Sequence, residues 1–245
     1  MSRDKRYPTS FAYHAQAIGF SASLFKPACE NIPGQASVSL SQTGGESYST
    51  VRNFDWKGIF RFDEAAAYVT GSEDHGSYNT LATVTVRGLN IANMVTADLV
   101  IARVSSRHDR NADGSIDSEG HITLEGSAYQ NLRVAGRHVT AGLATPGCSN
   151  VTFAQALDFA KEQRGYVNGA TNTASCSIAT GADAEDLKVE NGKIVVPEFG
   201  TIYLAGVIFK PSYRRISMLR VELGCPLGGG VEVCGGEGNG GDIWQ

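Results

Sequence analysis

The sequence has no run of about 18 apolar residues, the length a membrane-crossing helix needs. Its first residues, Met1-Ser2-Arg3-Asp4-Lys5-Arg6-Tyr7-Pro8, carry charges with no apolar stretch behind them, which is not the pattern of a secretory signal peptide. A mature exported protein given a start Met would read the same. No Cys-x-x-Cys pair occurs among the five cysteines, which excludes a zinc ribbon and a thioredoxin-type site. A basic stripe is missing too: 21 Lys and Arg stand against 25 Asp and Glu, well mixed, for a net charge of −4. Without clustered cations there is no electrostatic footprint for DNA or RNA, so no nucleic acid is expected as a partner.

Catalytic signatures are absent as well. Gly71-Ser72 and Gly126-Ser127 lack the second glycine of a Gly-x-Ser-x-Gly elbow. His14, His75, His108, His121 and His138 form neither His-x-His nor His-Glu-x-x-His. Glu73-Asp74-His75 sets acids beside a histidine, but neighbours on a strand point to opposite faces, so it reads as loop charge. Gly228-Gly229-Gly230 precedes Val231-Glu232-Val233 and not a helix, so it is no phosphate loop.

What is present points to β structure. Apolar residues make up 42%, enough for a sizeable core, and 29 glycines spread through the chain suit many turns. Leu81–Arg87 puts Val84 and Val86 on one face and Thr83, Thr85 and Arg87 on the other, a half-buried strand. Phe11–Phe25 alternates weakly through Phe11, Tyr13, Ala15 and Ala17, Ala36–Gln42 through Val38 and Leu40, and Lys57–Thr70 has strand character. Leu99-Val100-Ile101-Ala102 within Met94–Ser106, and Ile202–Phe209, are apolar on both faces and predict central strands. Asn191-Gly192 marks a type I′ hairpin turn.

One segment breaks the pattern. Thr152 with Gln155 makes a capping box, Phe153, Ala156, Leu157 and Ala160 fall at helical spacing, and Gly165 follows as a stop. This predicts one helix over 153–164 lying on a sheet. The sequence is therefore expected to be mainly β, a single domain over 1–245. Its fold is an antiparallel β sandwich or barrel with one short flanking helix. Residues 224–245 are Gly-rich and read as an irregular or mobile tail unless a bridge holds them.

Cys225 and Cys234 could close a short hairpin loop in an oxidising compartment, and Cys148 and Cys176 could staple the helical segment, leaving Cys29 free. Five buried thiols in a reducing compartment are the alternative. Tyr213-Arg214-Arg215 makes a small basic turn that could touch an anion, or simply a solvated hairpin tip.

The sharpest chemical signal is Asp109-Arg110-Asn111-Ala112-Asp113-Gly114-Ser115-Ile116-Asp117. Oxygen side chains at loop positions 1, 3, 5 and 9, with glycine at 6 and an apolar residue at 8, suit a calcium ion on a sharply bent backbone. The candidate metal ligands are Asp109, Asn111, Asp113, Ser115 through its carbonyl, Asp117 and Glu119. Position 12 is Gly120 instead of the usual bidentate Glu, and the flanks read as strands instead of helices. Over these nine residues the loop resembles the calcium loops of dockerins. The alternative is a solvated Asp/Asn/Gly hairpin turn.

Three further stretches occur in order. They are Ala92-Asn93-Met94-Val95-Thr96-Ala97-Asp98, Tyr129-Gln130-Asn131-Leu132-Arg133-Val134-Ala135-Gly136-Arg137-His138-Val139, and Phe199-Gly200-Thr201-Ile202-Tyr203-Leu204 leading into Ile216–Val221. Together, over about 80–225, they resemble the bacterial choice-of-anchor surface domains. That resemblance implies a β fold and an extracellular or cell-surface history. It implies no activity, and the sequence shows neither of the family's export and anchoring features.

Three functions follow as expectations. The first is a non-enzymatic surface-type binding or structural module, stabilised by calcium and taking a protein or small-molecule ligand. The second is a small-molecule isomerase, cyclase or hydrolase with its site in a barrel cavity. The third is a self-assembling structural protein, which a long exposed edge strand or a large apolar patch would favour.

Overall fold

Period-two alternation builds nearly every element. The computed structural model describes residues 11–144, 149–184, 186–224 and 226–242. In chain order the long strands β1 (Phe11–Lys26), β2 (Glu30–Ser39), β3 (Gly45–Trp56), β4 (Phe60–Asp74), β5 (Ser77–Ile91) and β6 (Val95–Asp109) come first. Four short ones follow: β7 (His121–Thr123), β8 (Ala128–Gln130), β9 (Arg133–Val134) and β10 (Arg137–Leu143). After a helix, α1 (Phe153–Glu162), come β11 (Tyr166–Asn168), β12 (Thr173–Ser177), β13 (Ala179–Ala184), β14 (Val189–Glu190) and β15 (Lys193–Val196). The last strands are β16 (Gly200–Lys210), β17 (Tyr213–Leu223) and β18 (Gly228–Asp242).

These strands form two nine-stranded antiparallel sheets, stacked as a sandwich and not closed into a barrel. The first sheet runs β11-β12-β16-β17-β18-β1-β2, with β15 on β16 and β14 on β15. The second runs β13-β10-β9-β6-β5-β4-β3, with β7 and β8 also on β6. A large hydrophobic core fills the space between them, beside a smaller cluster of Phe11, Tyr13, Tyr78 and Ile116. Phe20 from β1 stands 5.6–5.8 Å, ring centre to ring centre, from Phe54, Phe60 and Phe62 of the facing sheet. Val84 and Val86 point inward and Thr83, Thr85 and Arg87 outward, as the alternation requires.

The helix follows its local signals. The Thr152 side chain accepts from the Gln155 backbone N–H, and Gln155 reaches back to the Thr152 N–H, so the capping box forms. Ala156 and Ala160 are the residues of α1 that are buried. The helix stops at Glu162, two residues short of expectation, because Arg164 has a φ of 53° and turns the chain out. The Asn191-Gly192 turn joins β14 to β15 with φ values of 49° and 70°.

Two expectations need correction. Leu99-Val100-Ile101-Ala102 and Ile202–Phe209 are buried on the inner face only. Val100, Ala102, Leu204, Val207 and Phe209 are buried, while Leu99, Ile101, Tyr203 and Ile208 stay half-exposed on the outer face. The Gly-rich segment is not an irregular tail. β18 lies between β17 and β1, paired with β1 from Phe11↔Asp242 to Lys26↔Gly228. Hydrogen bonds to a strand on each side order its glycines, and Val231, Val233 and Cys234 bury their side chains in the core. Residues 243–245 lie outside the described residues.

The weak alternation of β1 also has a cause. Inward residues are Ala15 and Ala17 at odd positions, then Phe20, Ala22 and Leu24 at even ones. The same change of parity occurs between Leu204 and Ala205, Met218 and Leu219, and Val233 and Cys234, on neighbouring strands at one level. Ala36, Ala205 and Cys234 carry positive φ values of 49°, 44° and 52° along that row. A left-handed residue puts two consecutive side chains on one face, so the alternation restarts one position out of step. The second sheet has a matching row, where Asn53, Gly88 and Asn131 have φ values of 53°, 62° and 50°. Asp63 and Asp98 occupy the strands between them, and Asn131 donates to Asp98 at 2.6 Å.

Candidate functional site

The acidic loop joins β6 to β7 as a tight hairpin. Arg110 pairs with Ile116, the Asn111 N–H donates to the Ser115 carbonyl at 2.8 Å, and the Asp117 N–H to the Asp109 carbonyl at 2.9 Å. At its exposed tip, the Asn111 amide donates to Ser115 Oγ at 2.9 Å. Ser115 in turn donates to Asp113 Oδ1 from its hydroxyl at 2.6 Å and from its backbone at 2.9 Å. Those two bonds from Ser115 hold the Asp113 carboxyl below the usual carboxylate range. Asn111, Asp113 and Ser115 are therefore brought together.

The other candidate ligands are engaged elsewhere. Asp109 accepts from Ser77 Oγ at 2.6 Å and Arg107 Nε at 2.9 Å, and these bonds, the Ser77 one foremost, lower its pKa. Asp117 accepts from the Glu119 N–H at 3.0 Å, closing a small Asx turn. Glu119 reaches away from the loop and accepts from the Phe153 N–H, where a carboxylate suits the N-terminus of α1. The six residues do not converge on one point. Among the described residues, no three His, Cys, Asp or Glu side chains gather as a metal-holding group. The loop is anchored by Ile116, packed with Phe11, Tyr13 and Tyr78. At its root, fully buried His108 has Nδ1 2.7 Å from the Asp117 carbonyl. His121, on the far side of the loop, is exposed and bonds to Asn150.

The cysteine expectations fall partly outside the described residues, since Cys148 and Cys225 lie there. Cys29 is exposed, and among the described residues Cys176 and Cys234 are free, buried thiols. Cys234 donates to the Val100 carbonyl of the facing sheet at 3.4 Å, and burial pushes the Cys176 thiol up to about 12.

Sequence reasoning missed a polar network on the outer face of the first sheet, over the Gly-rich strand. Glu237 accepts from Tyr213 at 2.6 Å and lies 3.1 Å from His14 Nε2. The His14 bond, with Tyr213 second, pulls its carboxyl down. Glu232 accepts from Arg215 through both oxygens at 3.0 and 3.1 Å. These carboxylates tie β18 to β1 and β17 where its glycines have no side chains to do so. The register Arg215↔Glu237 and Arg220↔Glu232 puts acid opposite base, a signal visible only once the strands are paired. Arg214 is no solvated tip: it is 2% exposed and donates to the carbonyls of Lys210, Tyr213 and Val151. Desolvation lowers its pKa to about 10, and it staples the segment before α1 to β17.

A second feature is the β3 edge. Among the described residues β3 pairs with β4 alone, leaving one side of a 12-residue strand without a ladder partner. Tyr48, 79% exposed, stands opposite Tyr68 on the outer face, and Tyr68 Oη donates to Glu46 at 3.1 Å. Arg52 Nε donates to Glu64 at 2.7 Å on the same face. The clefts lie on the surface: one of about 690 Å³ runs between α1 and Leu143, Ala144 and Thr180.

Fold and surface together define a two-sheet antiparallel β sandwich whose second sheet ends, among the described residues, in the open edge of β3. The chain belongs to the DUF8256 family, a domain of unknown function whose family model matches residues 11–163, from the start of β1 to the end of α1. No curated protein and no solved structure matches it. Among the described residues, no helix is long and apolar enough to cross a membrane.

Proposed function

We propose that the chain is a non-enzymatic binding or structural β module of the surface type, working through the open β3 edge of its second sheet. The observation that carries this reading is the 12-residue strand paired, among the described residues, on one side only, with Tyr48 and Tyr68 exposed on its outer face. Free N–H and C=O groups along an edge are a template for an extended segment, and alternate side chains supply the selectivity. The filled space between the sheets supports it against a barrel-mouth enzyme.

The test uses two neighbouring prolines. Thr50 and Val51 point their backbone N–H groups to opposite sides of β3, so one of Thr50→Pro and Val51→Pro removes a donor from the β4 ladder and the other from the free side. Immobilised protein is probed with synthetic extended peptides of alternating polar and apolar residues. The variant that keeps the parent melting temperature is expected to lose peptide binding. Binding that survives in that variant sinks the edge as the working surface.

Calcium enters this reading as a stabiliser of the hairpin tip, supported by the cluster of Asn111, Asp113 and Ser115. Extracellular calcium modules bind at about 0.1–1 mM. A thermal melt in calcium roughly tenfold above that range is therefore expected to exceed one in chelator, with the gain lost in Asp113→Ala. Identical curves for the parent would leave the Ser115 bonds as all that the tip does.

A further inference from the structure

We propose that two copies of this chain pair through their β3 edges, antiparallel about a two-fold axis at Ser49, joining two second sheets into one continuous sheet. This rests on the edge reading above and names the occupant of that edge.

Charge complementarity sets the register. With Ser49 opposite Ser49, Glu46 of one copy faces Arg52 of the other, twice, and Tyr48 faces Thr50. Glu46, Tyr48, Thr50 and Arg52 are all exposed on one face of β3. Both charges are already oriented along that face. Tyr68 holds Glu46, and Glu64 takes Nε of Arg52, whose side chain is 72% exposed. The rest of the guanidinium fork remains to meet a second carboxylate. On the other face the same register sets Ser47 against Val51. Nothing in it places like charges opposite each other, the arrangement that penalises a strand pair.

The other sheet edges among the described residues each carry a feature that hinders pairing. β2 carries Pro33 and a positive φ at Ala36, and β13 a positive φ at Gly181. β11 has three residues and β14 two. Proline, irregular backbone and shortness are the devices that blunt an edge. β3 has no proline and pairs regularly with β4 from Gly45↔Gly71 to Arg52↔Glu64. Its regularity ends at Asn53, where φ is 53°, and the proposed pairing ends there too. An isologous contact of this kind closes at two copies and does not propagate.

The experiment is light scattering on the full chain across a concentration series, with charge reversals. The parent is expected to approach twice its 26.0 kDa mass. Glu46→Arg or Arg52→Glu alone should raise the dimer dissociation constant roughly tenfold or more, and the double reversal should restore it. Circular dichroism and melting confirm that each variant is folded. In a Cys29→Ser background, Ser49→Cys should oxidise to a covalent dimer and Ser47→Cys should not. A parent that is monomeric throughout, single reversals without effect, or a double reversal that does not rescue would each overturn the pairing. If the peptide test above still shows proline-sensitive binding in that case, the edge reading stands and only its occupant changes.

Discussion

Gly229→Ala is expected to destabilise the protein by about 2–3 kcal/mol, while Gly230→Ala next to it is close to neutral. A Cβ at Gly229 would stand 2.3 Å from the Ser23 carbonyl oxygen and 2.9 Å from Leu24, both on the neighbouring β1. The backbone of a paired strand has no room to retreat, so either the ladder or the core beneath it must shift. A Cβ at Gly230 meets nothing within 4 Å. That variant loses only unfolded-state freedom, a gain of up to about 1 kcal/mol where the backbone tolerates it. For a chain of this size the first change lowers the melting temperature by roughly 5–10 °C. Equal melting temperatures for the two variants would mean that residues 228–242 are not held as a central strand.

The second large effect is at Phe20, where truncation to alanine should remove about 3–5 kcal/mol. Phe20 is fully buried and its ring lies among Phe54, Phe60 and Phe62, so the vacated space is bounded by both sheets and cannot collapse without moving one. The melting temperature should fall by roughly 10 °C or more. Phe25, five residues on and 64% exposed, is the control, and its truncation should stay within about 0.5 kcal/mol. Similar losses at Phe20 and Phe25 would contradict the parity change in β1, since strict alternation from Phe11 would have turned Phe25 inward and Phe20 outward.

That parity change marks the boundary of what alternation can reveal. Reading Phe11, Tyr13, Ala15 and Ala17 as one inward row is correct as far as it goes. Nothing local announces that the row restarts at Phe20, because the cause is a level shared by strands from distant parts of the chain. The acidic loop has the same limit. Its turn is visible in Asp113-Gly114, and its oxygen-rich spacing suits a cation, but Ser77 on Asp109 comes from a paired strand and the start of α1 on Glu119 from a later helix. The Glu232 and Glu237 network was not read from the sequence, because Tyr213 and Arg215 reach it through the register of the β17–β18 pair and His14 from β1 at the other end of the chain.

By itself the sequence determined the all-β character, the hairpin at Asn191-Gly192 and the capped helix beginning at Phe153. Each of these is set by side-chain period or by hydrogen bonds between residues a few positions apart. Only the tertiary structure decided that fifteen residues rich in glycine form a strand in the middle of a sheet, since glycine carries no pattern of its own and takes its order from the neighbours that hydrogen-bond it. It decided equally that β3 ends its sheet, with one side open among the described residues, because an edge is a property of strand order, and strand order follows from how the two sheets bury their inner faces against each other.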